Sequence, residues 1–275
     1  MNNNQNNQVV GNILNPVKQV KAHEKTSHKY NFVSTSNILE RLSQHGWNVR
    51  QEVAVKCRNK DNEGFQKHMV RLNNEAFQYG DYHIEVLLTN SHLGNSSVKL
   101  NIGIYRLVCS NGLVVGTSFY ERRVRHMGFT YDKLDLALGE LIKQAPQVCE
   151  IIAKMKGVQL NEGQILELAK KFADKRLEKV ERVNWVDYPK MLNIYREADR
   201  HTDLFTVYNI LQEKVMRGGV KYTTKQMVLD ERTSQHYEVE KNHTTRAIKN
   251  ITNEIKLNEY MFDTAAEYLD ILQAA

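Results

Sequence analysis

Aromatic and cationic residues alternate in one short stretch of the sequence, Phe119–His126. Arginine can bind phosphate oxygens in a bidentate manner, and aromatic rings stack on unpaired bases at ~1–3 kcal/mol per base. These residue types predict a surface that contacts single-stranded nucleic acid. A solvated, charged strand end is the alternative interpretation. The candidate contact residues are Arg122, Arg123 and Arg125 for phosphates, and Tyr105, Phe119 and Tyr120 for stacking.

The excess positive charge of the chain is concentrated near its N-terminus. The formal net charge is +6, and residues 1–60 carry nine Lys/Arg against three Asp/Glu. We expect residues 1–30 to form a flexible basic arm that holds phosphates electrostatically, an ordinary disordered tail being the alternative. Its candidate contacts are Lys18, Lys21, Lys25 and Lys29. A second cationic stretch, residues 170–176, has carboxylates within helical reach and predicts a solvated, salt-bridged face.

Sequence motifs for catalysis are missing. There is no Walker-type glycine loop, no HExxH, no Cys/His quartet and no Gly-x-Ser-x-Gly elbow. Asp81 and Glu85 share one strand face, and we interpret them as solvated surface rather than a two-carboxylate metal site. We therefore expect no metal and no cofactor, and a binding protein rather than an enzyme. A site assembled from distant residues would leave no linear motif.

Composition places the chain among intracellular globular proteins. It has 275 residues with 41% hydrophobic residues, enough for a substantial core. No apolar run approaches the ~20 residues needed to cross a bilayer, and the Asn/Gln-rich start is unlike an export signal. Three widely separated cysteines fit reduced thiols. We expect a cytoplasmic protein.

Hydrophobic periodicity predicts an α+β fold in one domain, residues 31–275. Residues 31–120 contain a short helix with Ser34, Thr35 and Ser36 as N-cap candidates, and then period-two patterns typical of an antiparallel β-meander of about five strands. The Asn111-Gly112 dipeptide predicts a hairpin turn. Residues 121–275 are predicted to be mostly helical, with a kink or break at Pro146, a capping box at Asn161, and a helix that Asp203 can cap and that ends at Gly218-Gly219.

Several motifs together resemble the phage/plasmid-like family of domains of unknown function. They are Leu88–Gly94 with Asn90, Ser91 and His92, Tyr105–Leu113 with Arg106, Asn111 and Gly112, Val207–Glu213 with Gln212 and Glu213, Arg217-Gly218-Gly219, and Thr245-Arg246 followed by Asn258. The resemblance covers most of Leu88–Leu269 and leaves the arm outside. The family's usual Asp-Gly after the histidine is replaced by Leu93-Gly94.

The resemblance implies a protein of phages, plasmids or other mobile elements, encoded near replication and recombination functions. The order of sheet and helices is also similar in outline to phage single-strand annealing proteins. In purely structural terms, Arg106 and the Asn111-Gly112 turn could fix the hairpin, while Gln212, Glu213 and Arg217 could link helices.

Together these observations favour a nucleic-acid-binding accessory protein that acts on single-stranded DNA in recombination or replication, with a homo-oligomer as one option. One alternative is a protein-interaction module that inhibits or redirects a host defence or replication factor. The other is an enzyme with a dispersed site.

Overall fold

A computed structural model of the chain describes residues 15–106, 112–114, 121–230, 232 and 235–274. The fold is α+β, as predicted, with an antiparallel sheet first and mostly helices after it. Three residues named above, Asn111, Phe119 and Tyr120, lie outside the described residues.

The first sheet is an antiparallel meander. Five strands follow one another in the order β1-β2-β3-β4-β5, and β6 also pairs with β4. In the β4–β5 hairpin, Tyr105 stands opposite Gly112. The strands are β1 Asn48–Ala54, β2 His68–Tyr79, β3 Tyr82–Asn90, β4 Val98–Arg106, β5 Gly112–Val114 and β6 Glu121–Val124. The predicted meander is confirmed, and β6 extends the sheet beyond residue 120.

The helices begin and end at the residues that local chemistry predicts. The Ser34 side chain caps α1, the Asn161–Gln164 capping box opens α4, and the Asp203 side chain caps α6. Pro146 lies in the first turn of α3, where its missing N–H is harmless. The helices are α1 Thr35–Gln44, α2 Tyr131–Ile142, α3 Ala145–Gly157, α4 Glu162–Leu177, α5 Tyr188–Met191, α6 Leu204–Arg217 and α7 Ile251–Ala274. None of these helices is long and apolar enough to cross a bilayer.

A second, three-stranded sheet corrects the expectation of helices almost to the end of the chain. It consists of β7 Val183–Val186, β8 Lys221–Asp230 and β9 Gln235–Thr244, in the order β7-β8-β9. Its apolar residues Met227, Leu229 and Tyr237 are about half exposed. Because most of the long β8–β9 hairpin is exposed, its strands lack the sustained run of apolar residues at every second position that a buried face would produce.

Residues 15–30, predicted as part of a flexible arm, pack against the first sheet. Val17 is buried in the main core. The His23 backbone N–H donates to the His92 carbonyl at 3.0 Å, and the Tyr30 hydroxyl donates to the Ser91 carbonyl at 3.0 Å. Val17, the His23 backbone and Tyr30 supply these contacts, and the four lysines of the segment stay exposed.

Both faces of the first sheet are covered. The larger core lies on the face packed by α1, α2 and the helical half of the chain. On the opposite face, Met69 and Leu87 pack against Ile251 and Ile255 of α7. This second layer fixes the start of α7 over the sheet.

The second layer also contains a buried carboxylate. Glu85 is fully buried and accepts hydrogen bonds from Arg50 and Arg71, each at 2.8 Å. Its interpretation as solvated surface was therefore wrong, because the two arginines reach it from neighbouring strands. Asp81 is partly exposed and pairs with Arg106 and Lys156.

Candidate nucleic-acid interface

Two of the three predicted phosphate-binding arginines are already paired within the protein. The Arg122 Nε donates to Glu140 Oε2 on α2 at 3.0 Å, and Arg123 forms an ion pair with Glu121. Arg122 reaches across to α2, whereas the partner of Arg123 lies two residues away on the same strand. Their charges are therefore partly neutralised.

Tyr105 lies apart from this cluster. It is four positions along β4 from Asn101, the last β4 residue that pairs with β6. The Arg50 guanidinium carbon lies 3.1 Å from the centroid of the Tyr105 ring. The ring face is thus occupied by a cation, and the structure does not bring Tyr105 together with the β6 arginines.

Arg125 is the member of the predicted cluster that keeps its charge available. It is exposed, and no hydrogen bond or ion pair engages its guanidinium within the described part of the chain. Together with Lys29 and Tyr30 it lines a cavity of about 270 Å³. One lysine of the N-terminal segment therefore converges with the cluster. Lys18, Lys21 and Lys25 are exposed and do not line this cavity.

A second cavity, here called the β6–α2 cavity, lies between β6, the following turn and α2. Its volume is about 400 Å³. Met127 and Leu136, two large apolar side chains, are 58% and 64% exposed at its edge. Its charged lining residues are Arg122, Arg123, Arg125, Lys133 and Glu140.

The largest cationic cavity is formed by residues that are distant in sequence. It has a volume of about 710 Å³ and lies between the end of α4, segment 245–250 and the first half of α7. We call it the basic groove. Among the described lining residues, Glu178 is the single carboxylate, against the six cations Lys175, Arg176, Lys179, Arg246, Lys249 and Lys256.

Arg176 is the most deeply placed cation of the basic groove. One of its terminal nitrogens donates to the Arg246 carbonyl at 2.6 Å, while its Nε is buried without a hydrogen-bond partner among the described residues. Burial lowers the pKa of the Arg176 guanidinium. A cation held out of water without a carboxylate partner is stabilised by a bound anion.

Lys175 and Tyr260 add an aromatic element to the basic groove. The Lys175 ammonium donates to Glu178 at 2.6 Å and lies 4.9 Å from the centroid of the Tyr260 ring. Tyr260 is partly exposed. The groove therefore combines its cations with an aromatic ring, one face of which Lys175 covers, and aromatic rings beside cations are typical of single-strand binders.

The two motif glycines position the wall of the groove. Gly218 has φ +87°, and a Cβ there would lie 2.6 Å from the Arg246 carbonyl carbon. The Gly219 N–H donates to the Thr245 carbonyl at 2.8 Å. Because these two segments of the chain approach so closely, the motif Arg217-Gly218-Gly219 fixes the backbone of Arg246 beside Arg176.

The motif residues Asn90, Ser91 and His92 are buried and hold the N-terminal segment. Asn90 Nδ2 donates to the Val33 carbonyl at 3.2 Å and to Thr35 Oγ1 at 3.0 Å. His92 Nε2 lies 2.9 Å from the Pro16 carbonyl, which it must donate to. Burial lowers the pKa of His92 to about 4. These contacts are structural, and His92 is a hydrogen-bonding residue of the core.

The remaining motif residues are engaged inside the protein. Buried Arg106 donates to Asp199 Oδ1 at 2.7 Å. Glu213 pairs with Arg196 and with Arg217, and Gln212 Nε2 donates to Asn258 Oδ1 at 2.7 Å. Arg106, Gln212 and Glu213 thus link elements of the fold, and Arg217 pairs with Glu213 within α6.

Sequence reasoning missed the basic groove, although it noted parts of it. Lys175-Arg176 and Arg246 were both singled out, but about seventy positions separate them, and only the fold brings them into contact. In the described residues, no group of three or more His, Cys, Asp or Glu side chains is arranged to hold a metal ion.

Comparison with known proteins gives a family but no activity. The model of a domain of unknown function, DUF932, matches residues 22–261. The match includes residues 22–87, most of which precede the motifs quoted above, and begins inside the predicted arm. The proteins YafZ and YfjQ of Escherichia coli (strain K12), both named as UPF0380 proteins, are each 29% identical over 251 residues, which is 91% of this chain and 86% of the relative. No solved structure matches at a significant level.

Proposed function

The chain belongs to the DUF932 family of domains of unknown function, and we propose that it binds nucleic acid through the basic groove. The observation that carries this proposal is the imbalance of charge in the groove, six cations against the single described carboxylate Glu178. Such an imbalance attracts a polyanion, because each neutralised phosphate releases condensed counterions.

The contrast with the rest of the surface supports this choice. Many arginines elsewhere are paired with carboxylates, as in Arg41–Asp135 and Arg196–Glu213, and Arg125 is an exception described above. In the groove, the Arg176 Nε has no partner among the described residues, and Arg246 carries no ion pair there. An uncompensated cation cluster costs folding free energy, so its presence favours a role in binding anions.

Single-stranded DNA is the substrate we propose, since the Tyr260 ring lies beside the cations and could stack on an unpaired base. Groove contacts of this kind do not read sequence. We further propose that the protein acts in the host cytoplasm as an accessory factor of a phage or plasmid, in recombination or replication. This placement rests on the motif resemblance and on the outline similarity to annealing proteins.

A titration by fluorescence anisotropy tests the proposal. The full chain is titrated against labelled single-stranded DNA, double-stranded DNA and RNA at two salt concentrations. In the variant Lys179→Ala/Lys249→Ala/Lys256→Ala, three exposed groove lysines are lost. We expect affinity for single-stranded DNA to fall at least tenfold, and the log–log salt slope to decrease by about one unit per lost phosphate contact.

Two control variants locate the surface. Lys56→Ala/Lys60→Ala/Lys143→Ala removes the same charge from exposed positions outside the groove and should bind like the wild type. Arg122→Ala/Arg123→Ala/Arg125→Ala tests the cluster predicted from sequence and should lose little affinity. Equal losses of affinity in the groove and control variants would mean that net charge, and not the groove, determines binding. No binding at low salt would overturn the proposal.

A further inference from the structure

We infer that the β6–α2 cavity is a docking site for a partner protein, which inserts an acidic segment carrying apolar side chains. This site is separate from the basic groove and does not depend on the proposed nucleic-acid binding. The inference rests on the apolar side chains at the cavity edge, on their fixed positions and on the cations around them.

The apolar part of the cavity is exposed although the main core lies directly beneath it. Leu136 is 64% exposed on α2, whereas its neighbours Leu134, Ala137 and Leu138 are buried. Met127 is 58% exposed on the opposite side of the cavity. Two large apolar side chains around one concave site can enclose an apolar anchor of a partner.

The turn that carries Met127 is held in place. The Phe129 N–H donates to the His126 carbonyl at 3.1 Å, and the Lys133 ammonium donates to the Gly128 carbonyl at 2.6 Å. His126 is buried, and its ring stacks on Tyr30 with centroids 4.5 Å apart. The exposure of Met127 is therefore built into the turn, and a partner would meet a preformed site.

The charges around the cavity define the partner's chemistry. Arg125 carries no ion pair in the described part of the chain, and Arg122 holds Glu140 in a contact that remains partly exposed. Incoming carboxylates can bind Arg125 directly and share Arg122 with Glu140. The complementary ligand is a peptide with two or more Asp/Glu residues next to Leu, Phe or Met.

The comparison with the basic groove favours a peptide over nucleic acid at this cavity. The described lining of the groove contains no exposed large apolar side chain. In the β6–α2 cavity, by contrast, two apolar side chains are exposed, and a phosphate backbone has no apolar groups to pack against them. The carboxylates of Glu121 and Glu140 also reduce the positive potential there. A volume of about 400 Å³ accommodates two or three side chains.

Selection from a phage-displayed library of random twelve-residue peptides tests the inference on the immobilised full-length protein. The same selection is run on Arg125→Glu/Leu136→Asp. We expect the wild type to enrich sequences that combine acidic and apolar residues, and the variant to lose that enrichment. The absence of an acidic–apolar consensus, or the same consensus on both proteins, would overturn the inference.

The enriched peptide, labelled with fluorescein, then gives affinities. Leu136→Ser should weaken its binding at least tenfold, while Ile271→Ser, a similarly exposed apolar residue on α7, should leave it unchanged. The groove variant Lys179→Ala/Lys249→Ala/Lys256→Ala should also bind the peptide normally. If unlabelled oligo(dT) displaces the peptide from that groove variant, the cavity is a nucleic-acid site and the inference fails.

Discussion

At the scale of single residues, Arg106 illustrates a motif position whose role is structural. It is 4% exposed, and Asp199, its partner at 2.7 Å, is 3% exposed. Arg106→Ala would leave the buried Asp199 carboxylate with Arg196 alone, at 3.1 Å, so we expect a loss near the lower end of ~3–5 kcal/mol in the free energy of unfolding. Urea denaturation measures it. Arg200→Ala, which breaks an exposed pair with Glu197, should cost below ~1 kcal/mol, and equal losses would contradict the buried-pair argument.

Glu259 on α7 is a carboxylate in an unfavourable position. Burial and the nearby carboxylates Glu121 and Asp263 raise its pKa to about 7. Above that pH the Glu259 carboxylate is ionised in the folded protein, where its charge is unfavourable. Glu259→Gln should therefore raise the free energy of unfolding by ~1 kcal/mol at pH 8, allowing for the partial exposure of the side chain. The gain should vanish below the ordinary glutamate pKa. Urea denaturation at pH 8 and pH 4.5 checks this, with the exposed Glu267→Gln as the control; a destabilised Glu259→Gln at pH 8 would contradict it.

At the scale of elements, the connection between α6 and β8 determines where segment 245–248 runs. Gly218→Ala places a Cβ 2.6 Å from the backbone of Arg246 in a left-handed conformation. We expect a loss of at least ~2 kcal/mol in stability, and weaker nucleic-acid binding because Arg246 is displaced. At Gly219, a Cβ meets only the Lys214 side chain, at 3.5 Å. Gly219→Ala should therefore cost less, and the reverse order in thermal denaturation would refute the close-approach argument.

The elements differ in how well the sequence predicts them. The helix starts at Asn161 and Asp203 follow from capping chemistry confined to four consecutive residues, and both are confirmed. At the first helix, the structure selects Ser34 from the candidates Ser34, Thr35 and Ser36. The β8–β9 hairpin was missed because its exposed strands have no buried face to produce alternation. Glu85 was misjudged because its partners Arg50 and Arg71 lie on other strands. Interactions between residues close in sequence can be predicted from the sequence, whereas contacts between distant residues cannot.

At the scale of the whole molecule, buried histidines fasten the N-terminal segment and its neighbourhood to the sheet. Burial lowers the pKa of His68 and of His92 to about 4, so both are neutral in the folded protein at neutral pH. The unfolded chain takes up these protons near pH 6.5, so stability is lost below that pH at ~1.4 kcal/mol per unit per histidine. Glu254 and Glu259, whose pKa values burial raises, act in the opposite direction.

The net expectation is a fall of about 2 kcal/mol in the free energy of unfolding between pH 7.5 and pH 5, measured by urea denaturation. The fall should be larger in Glu259→Gln, in which an opposing group is absent. A free energy that is constant or higher at pH 5 would contradict the assignment of neutral, buried imidazoles.

The candidate sites were only partly predictable for the same reason as the fold. The β6 cluster is contiguous in sequence, and one of its members, Arg125, shares a cavity with Lys29 of the predicted arm. Arg122 is paired because the packing of α2 places Glu140 beside it. Arg123 is paired because the geometry of β6 places Glu121 beside it. The basic groove depends on the meeting of α4 and α7, which no local pattern encodes.

The open edge of β9 bears on how the protein behaves when concentrated. Within the described part of the chain, β9 pairs with β8 alone, so one row of its backbone N–H and C=O groups is free to recruit another strand. Glu238, Glu240 and Lys241 are exposed along this strand. Charged side chains make stacking of identical strands unfavourable. The hairpin can therefore extend from the molecule without seeding aggregates, and replacing these charges with valine would remove that protection.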